Sequence, residues 1–365
     1  MKILFISTPH SWRGGEAQLA YLIEGSIQNG HQCFVAAGQG GAVEDWCMEN
    51  DVPSFALGSG LLSLPANVSL ITKICRQYQI DIIHTHDAKA HTLAVVSSVT
   101  GNKVPIIVSR KVDFPVKKTW ISYRKYNHPN IKKVICVSEK ISEITGKAIR
   151  DKNRVEVVYD GVETEFNLPE ILPDLREMFE FPANNRIVGN VAALAPHKDF
   201  FTWVDAVELI LRARRDVSFL AVGEGRQGKQ IEDYIQSKNL GGHILLTGFR
   251  KDAKDLMTGM DVFMNSSETE GLCSSILDAY VRNVPVVATN AGGIPEIVSH
   301  EGTGLLAQVK DAQNLANNVL KVLSDGELRQ RLVNNASVFV KQFDKKVMVE
   351  KTLEVYRKVL SQGKF

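Results

Sequence analysis

The sequence predicts an α/β chain of two doubly wound, Rossmann-like domains, and three observations carry that prediction. At 365 residues the chain exceeds the size at which one hydrophobic core stops growing. Short apolar runs rich in β-branched residues alternate with longer segments of helical spacing, the pattern of parallel strands covered by helices on both faces. The alternation breaks once, at Asp160-Gly161 and a polar stretch containing Pro169 and Pro173, and then starts again.

In the first half the expected strands are Ile3–Ser7, Cys33–Ala37, Ile80–His84, Pro105–Ser109, Val134–Val137 and Val155–Tyr159, with helical spacing over Glu16–Gln28 and Leu70–Gln79. In the second half they are Ile187–Val191, Ser218–Val222, His243–Thr247, Asp261–Asn265, Val284–Ala288 and Gly304–Ala307. The joint falls near residues 161–173, giving domains 1–165 and 166–344. The last stretch, about 345–365, is helical without a following strand and is expected to pack back onto the N-terminal domain.

Composition narrows the function. Hydrophobic residues at 44% against 23% charged, with 12 prolines and no low-complexity tract, exclude a disordered chain. A net charge of +2, with aromatics that are not interleaved with basic residues, argues against a nucleic-acid partner. Cys33, Cys47, Cys75, Cys136 and Cys273 are odd in number, widely spaced and without a Cys-x-x-Cys pair, as expected of small core residues in a reducing compartment. The apolar run Met1–Ser7 is cut by Thr8-Pro9 and reads as a strand, and no stretch reaches the roughly 20 apolar residues of a membrane span. The expectation is a cytoplasmic protein.

Ligands of doubly wound sheets collect at the carboxyl ends of strands, where helix N-termini offer free amides. The richest such place is Ser266–Ala279: a strand ends, Glu268, Glu270 and Gly271 follow, and a helix begins. Glu270 and Asp278 are eight apart, which on one helix brings them to a similar face two turns apart. Carboxylates there either cap the helix or accept from sugar hydroxyls. Ala192–Asp199 is a second strand-to-helix element, in which Lys198 sits where the helix dipole disfavours a cation.

The ordered string Glu270-Gly271 to Asp278, Val284-Pro285-Val286-Val287-Ala288-Thr289 and Gly292-Gly293-Ile294-Pro295-Glu296 resembles the family 4 glycosyltransferases of the GT-B fold. The likeness extends to Gly14-Gly15-Glu16, Val137-Ser138-Glu139 and Asp160-Gly161-Val162-Glu163 with Phe166 at the joint. It implies two domains facing across a cleft, an acceptor site in the N-terminal one and a nucleotide-sugar site in the C-terminal one. It further implies that Glu270 contacts the donor sugar, Asp278 holds the ribose, and the amides of Gly271, Leu272 and Cys273 face sugar or diphosphate. Lys198 neutralises the diphosphate. Two positions depart from the pattern: Asp278 stands where the family has Glu, and Ala193 where it has an Arg that shares the diphosphate with the Lys. Arg226 after Gly223-Glu224-Gly225, Arg250 after Gly248-Phe249, and Arg110 of the other domain are the candidate substitutes. Phe249 and Gly225 are assigned to the same donor site.

Gly14-Gly15, in the first βα loop, serves either a tight turn or a close approach of backbone to ligand. His84-Thr85-His86-Asp87 is read as an acceptor-lining loop, with His86 and Asp87 as contacts; no downstream His or Cys group completes a metal shell. Arg110 and Lys111 stand where the family often carries a His near the donor sugar. The basic residues Lys117, Lys118, Arg124, Lys125, Lys132 and Lys133 make either a solvated face or an attraction for anionic lipid or a phosphorylated acceptor, at the inner face of the membrane.

The reading is a metal-independent, cofactor-free retaining glycosyltransferase. It moves sugar from a nucleotide-diphosphate donor, UDP-linked by expectation, to a saccharide or lipid-linked acceptor of surface polysaccharide or lipopolysaccharide. A nucleotide-sugar epimerase and a non-catalytic nucleotide-sugar-binding protein are the rivals.

Overall fold

The structure is a computed structural model that describes residues 1–165 and 173–362. Phe166 and Pro169, assigned above to the joint, lie outside the described residues. The chain divides into two compact units, Met1–Gly161 with the C-terminal stretch from Lys345, and Val162–Asp344.

The N-terminal unit is a parallel sheet of β1 (Lys2–Ser7), β2 (Gln32–Gly38), β3 (Ser54–Leu57), β4 (Ile82–Thr85), β5 (Ile106–Arg110), β6 (Ile131–Cys136) and β7 (Val155–Val157), in the order β3-β2-β1-β4-β5-β6-β7. The sequence reading lacks β3. Its four residues lie at the sheet edge between Pro53 and Gly58 and only Leu57 is fully buried, so no apolar run marks it. The central strands are covered on both faces, which is why Ile3–Ile6 reads as an unbroken apolar run.

Helix Lys345–Gln362 belongs to this unit. Its Met348, Val349, Leu353, Tyr356 and Val359 share one buried cluster with Phe5, Val35, Ile82 and Ile107. Burying each large apolar side chain contributes about 1.5 to 3 kcal/mol, so the helix is bound by its apolar stripe. It packs against helix Gly14–Gln28 so closely that a Cβ on Gly25 would stand 2.5 Å from a Val349 methyl.

The C-terminal unit is a second parallel sheet, β8 (Arg186–Val191), β9 (Val217–Val222), β10 (Ile244–Leu246), β11 (Val262–Asn265), β12 (Val286–Thr289) and β13 (Leu305–Ala307), in the order β10-β9-β8-β11-β12-β13. Trp203 and Phe219 meet edge to face at 5.9 Å in its core. In both sheets the order of addition reverses once, at β1/β4 and at β8/β11. Those are the switch points where loops diverge to opposite faces and leave a crevice at the carboxyl ends.

Candidate functional site

At the β8/β11 switch point the loops after the two strands are tied together. Lys198 ends a short 3-10 turn, Pro196–Lys198, and Asp199 caps the next helix, Phe200–Ala213, accepting from the Thr202 amide and, at 2.6 Å, its hydroxyl. Ser266, just past β11, donates to the carbonyls of Lys198 (3.0 Å) and Asp199 (2.9 Å), and the Glu268 amide donates to His197 (2.9 Å). Lys198 Nζ is thereby brought to 2.5 Å from Glu270 Oε1, which also accepts from Ser267 Oγ at 2.7 Å. Ser267 is seated in turn by Asn265 and by Thr289 at the end of β12.

The pair is buried, with side-chain exposures of 16% and 8%. Burial by itself would raise the Glu270 carboxyl, but the Lys198 charge and the bonds from Lys198 and Ser267 outweigh it and hold the group below its ordinary value. Glu270 is therefore an anion at neutral pH, and Lys198 its compensating cation. Removing one partner of such a pair strands a buried charge, at about 3 to 5 kcal/mol.

The backbone of Glu270 is clasped by the next strand end. The Gly293 amide donates to the Glu270 carbonyl at 3.1 Å, and Gly292, at φ 51°, lies so close that a Cβ would stand 2.0 Å from that oxygen. Only glycine meets both conditions.

The structure corrects the placing of Glu270 and Asp278 on one helix. The helix is Ser274–Val281, and Cys273, in the left-handed region at φ 74°, caps it, so Glu270 and Gly271 lie in the loop before it. A non-glycine residue there is strained, a feature common at ligand sites. The amides of Leu272, Cys273, Ser274 and Ser275 find no backbone or side-chain acceptor among the described residues. Burial pushes the Cys273 thiol up to about 12, so it is no nucleophile at neutral pH.

Asp278 is buried on that helix, 2.9 Å from Lys254 Nζ and 3.8 Å from Arg282 Nη1; the Lys254 contact lacks hydrogen-bond geometry. Lys254 was missed because nothing in a lone lysine on a short helix, Ala253–Met257, marks its partner. Ser266, Ser267 and Thr289 were missed for the same reason: their role exists only once three strand ends meet.

Of the candidate substitutes for the absent Arg at Ala193, Arg250 is held by Asp252 in a two-pronged bond (2.8 and 2.5 Å), beside exposed Phe249. Arg226 is exposed and has no ion pair or hydrogen bond among the described residues. Its loop is stitched to the end of β8, Leu194 N donating to Glu224 O and Gln227 N to Leu194 O, and a Cβ on Gly225 would stand 2.3 Å from the Leu194 carbonyl.

In the N-terminal unit Gly14 and Gly15 open helix Gly14–Gln28, and a Cβ on Gly15 would meet nothing within 4 Å. Packing within the unit does not demand glycine there. Asp87 is spent structurally: it caps helix Ala88–Val99 through Lys89 and Ala90 and accepts from the Thr8 amide and hydroxyl. Lys111 pairs with Asp160 at 2.7 Å. The His86 ring lies tilted against that of His84, centroids 4.2 Å apart, with both ring nitrogens covered, and burial, with His84 and Lys111 nearby, holds it neutral. His84 bonds Tyr356 (2.6 Å) and Ser109 (2.9 Å), and burial takes it down to about 3. Arg110, the last residue of β5, folds its guanidinium over the Phe114 ring and onto the Phe114 carbonyl. No group of three or more His, Cys, Asp or Glu among the described residues could hold a metal.

Residues 173–361 match the family model for glycosyl transferases group 1, and residues 12–166 match that for glycosyltransferase family 4. The chain is 28% identical over 321 residues to an uncharacterized glycosyltransferase of Methanocaldococcus jannaschii, covering 86% of this chain and 84% of that one. It is 25% identical to the UDP-Gal:alpha-D-GlcNAc-diphosphoundecaprenol alpha-1,3-galactosyltransferase of Escherichia coli, over 80% and 81% of the two chains. Anabaena Alr3699/HepE in complex with UDP-glucose superposes with a TM-score of 0.87 at 22% identity, over 98% of this chain and all of that one. Sucrose-phosphate synthase from Thermosynechococcus elongatus does so with a TM-score of 0.81 at 17% identity, over the whole of both. These likenesses show the GT-B type of fold, and with a family model spanning more than half of its length the chain belongs to the group 1 glycosyl transferases.

Proposed function

We propose that this glycosyltransferase retains anomeric configuration and moves a hexosyl group from a UDP-linked donor to a saccharide or lipid-linked acceptor during assembly of a surface polysaccharide or lipopolysaccharide. The observation that supports this most is the buried Lys198–Glu270 pair at the β8/β11 switch point, set beside four open amides. The leaving nucleoside diphosphate gains negative charge in the transition state, which calls for preorganised positive groups. Lys198 and the amides of Leu272 to Ser275 supply them, and Glu270 accepts from sugar hydroxyls and orients the ring. Arg226 replaces the cation absent at Ala193, because Arg250 is already held by Asp252. Asp278 takes the ribose hydroxyls. The departing phosphate oxygen accepts the acceptor's proton on the face it leaves, so the reaction needs positioning and charge stabilisation and no metal or cofactor. The Gly14-Gly15 turn is reserved for ligand backbone contact, and the basic face of the N-terminal unit for transient contact with anionic lipid.

The names of relatives point the same way: the Escherichia coli protein is named for a UDP-galactose donor and a diphosphoundecaprenol-linked acceptor, and the Anabaena structure holds UDP-glucose. Thermal-shift screening against nucleoside diphosphates and their sugars tests the donor. UDP and a UDP-sugar should raise the melting temperature most, and unchanged with EDTA. A guanosine or adenosine donor in their place would refute the UDP assignment, and an inverted anomer in the product would refute retention.

A further inference from the structure

The N-terminal unit contains a cavity of about 680 Å³ whose Lys117 and Lys125 belong to its basic face. Of its sixteen lining residues four are cationic, Lys89, Arg110, Lys117 and Lys125, and none is acidic. Arg110 is 7% exposed, and although its guanidinium reaches the Phe114 carbonyl, the Nε–H is buried without an acceptor. Lys125 is drawn towards the neutral form by burial and by the nearby Arg110 charge. Among the described residues its ammonium donates to the Thr92 hydroxyl (3.2 Å) and the Ala88 carbonyl (3.4 Å). Asp87 is the acid that offsets it, and that carboxylate is already engaged by Thr8 and by the helix it caps.

A buried cation and a partly buried one, with no acid lining the cavity, repel, and an unmade Nε–H bond adds to the deficit; an anion in the cavity removes both. A guanidinium beside an ammonium suits phosphate oxygens, which accept from the fork and the point charge together. The rest of the wall is mixed: Ser63, Asn67, Thr92 and Ser122 are polar, while Leu93 and Val116 are buried apolar groups and Leu64 and Phe114 exposed apolar ones. Charge at one part and grease at another define an amphiphile.

We propose that this cavity binds the phosphoryl group of an acceptor carried on an apolar chain, with Arg110 and Lys125 holding the phosphate and Leu93, Val116 and Phe114 the first carbons of the chain. The proposal rests on the reading of this unit as the acceptor side of a glycosyltransferase and narrows that acceptor to a lipid phosphate or diphosphate. It moves Arg110 from the donor's leaving group to the acceptor.

The test is calorimetric titration of geranyl diphosphate, geraniol and inorganic pyrophosphate into the whole protein, with UDP saturating so that the donor site is occupied. Geranyl diphosphate should bind at least about tenfold more tightly than either of the others. Arg110→Gln and Lys125→Gln should each weaken it about tenfold, with the UDP thermal shift unchanged. Equal binding of geraniol, or wild-type affinity in both variants, overturns the proposal; equal binding of pyrophosphate overturns the lipid assignment in favour of a free anion. Should Arg110→Gln fail to fold, the half-exposed Lys125 carries the result alone. A protein that binds geranyl diphosphate through Arg110 but shows no UDP shift would refute the donor reading and leave the cavity standing.

Discussion

At the carboxyl ends of β8 and β11 the buried polar groups are charged and paired, Lys198 with Glu270 at 2.5 Å. At the ends of β1 and β4 no such ion pair forms: His84 and His86 are neutral rings in tilted contact, centroids 4.2 Å apart, and the Asp87 carboxylate is held by the Thr8 amide and hydroxyl. The two sheets share a topology, so the contrast comes from side-chain chemistry. A lysine or a glutamate keeps its charge in a protein interior only beside its opposite, whereas a histidine sheds its proton for a few kcal/mol and is buried neutral. A charged pair suits a site where ligand charge grows during reaction, and a neutral wall does not.

The largest effect should come from breaking the pair. Glu270→Ala should lower transfer by about 100-fold or more, in the range of a lost preorganised contact, and destabilise the protein by about 3 to 5 kcal/mol, because Lys198 is left buried and unpaired. Adding Lys198→Met should restore part of the stability, read as the denaturant midpoint, and none of the activity. If the single variant keeps more than a tenth of wild-type turnover, the pair is structural and the contrast between the switch points loses its functional meaning.

Acid should distinguish the units next. The folded-state values of His84 and His91 are lowered to about 3 from an ordinary 6.5, burial being the main cause in both. The unfolded chain therefore binds more protons between those values, and stability is lost as pH falls from about 6.5 towards 3, by several kcal/mol at the lower end. Glu270 is lowered from 4.5, so its contribution is full above that value and fades only below it. Hydrogen exchange resolved by peptide, corrected for the intrinsic rate, should show the N-terminal unit opening first between pH 6.5 and 5. Equal loss in both units would break the comparison.

Smaller effects probe the scaffolds. Gly292→Ala should cost about 1 to 3 kcal/mol from its positive φ and the clash with the Glu270 carbonyl, and should reduce turnover more than Gly15→Ala does, a change with open space around it. Tyr356→Phe should cost about 1 kcal/mol by removing the 2.6 Å bond to His84, measured as a shift in urea midpoint, with transfer unaffected.

Much of the fold was legible. Among the described residues, twelve of thirteen strands follow from apolar runs, since strands covered on both faces must be apolar throughout; β3, half exposed at an edge, carries no such run. The sequence string around Glu270 pointed to a strand end, a loop and a helix, because glycine and acid punctuation precedes an amphipathic run. It could not show that the helix starts only at Ser274, a boundary set by the left-handed Cys273 and by the clasp of Gly292-Gly293 from another strand. Nor could it separate Arg226 from Arg250, which differ in whether an aspartate two residues away closes on the guanidinium.

By itself the chain's alternation of residue types determined two parallel sheets and the strand ends at which ligand groups gather, since periodicity and burial are local matters. Which charges face one another was decided only by tertiary structure. Lys198 and Glu270 are 72 residues apart, and Arg110 and Lys125 15 apart, and Coulomb energies depend on distances in space that no spacing along the chain encodes.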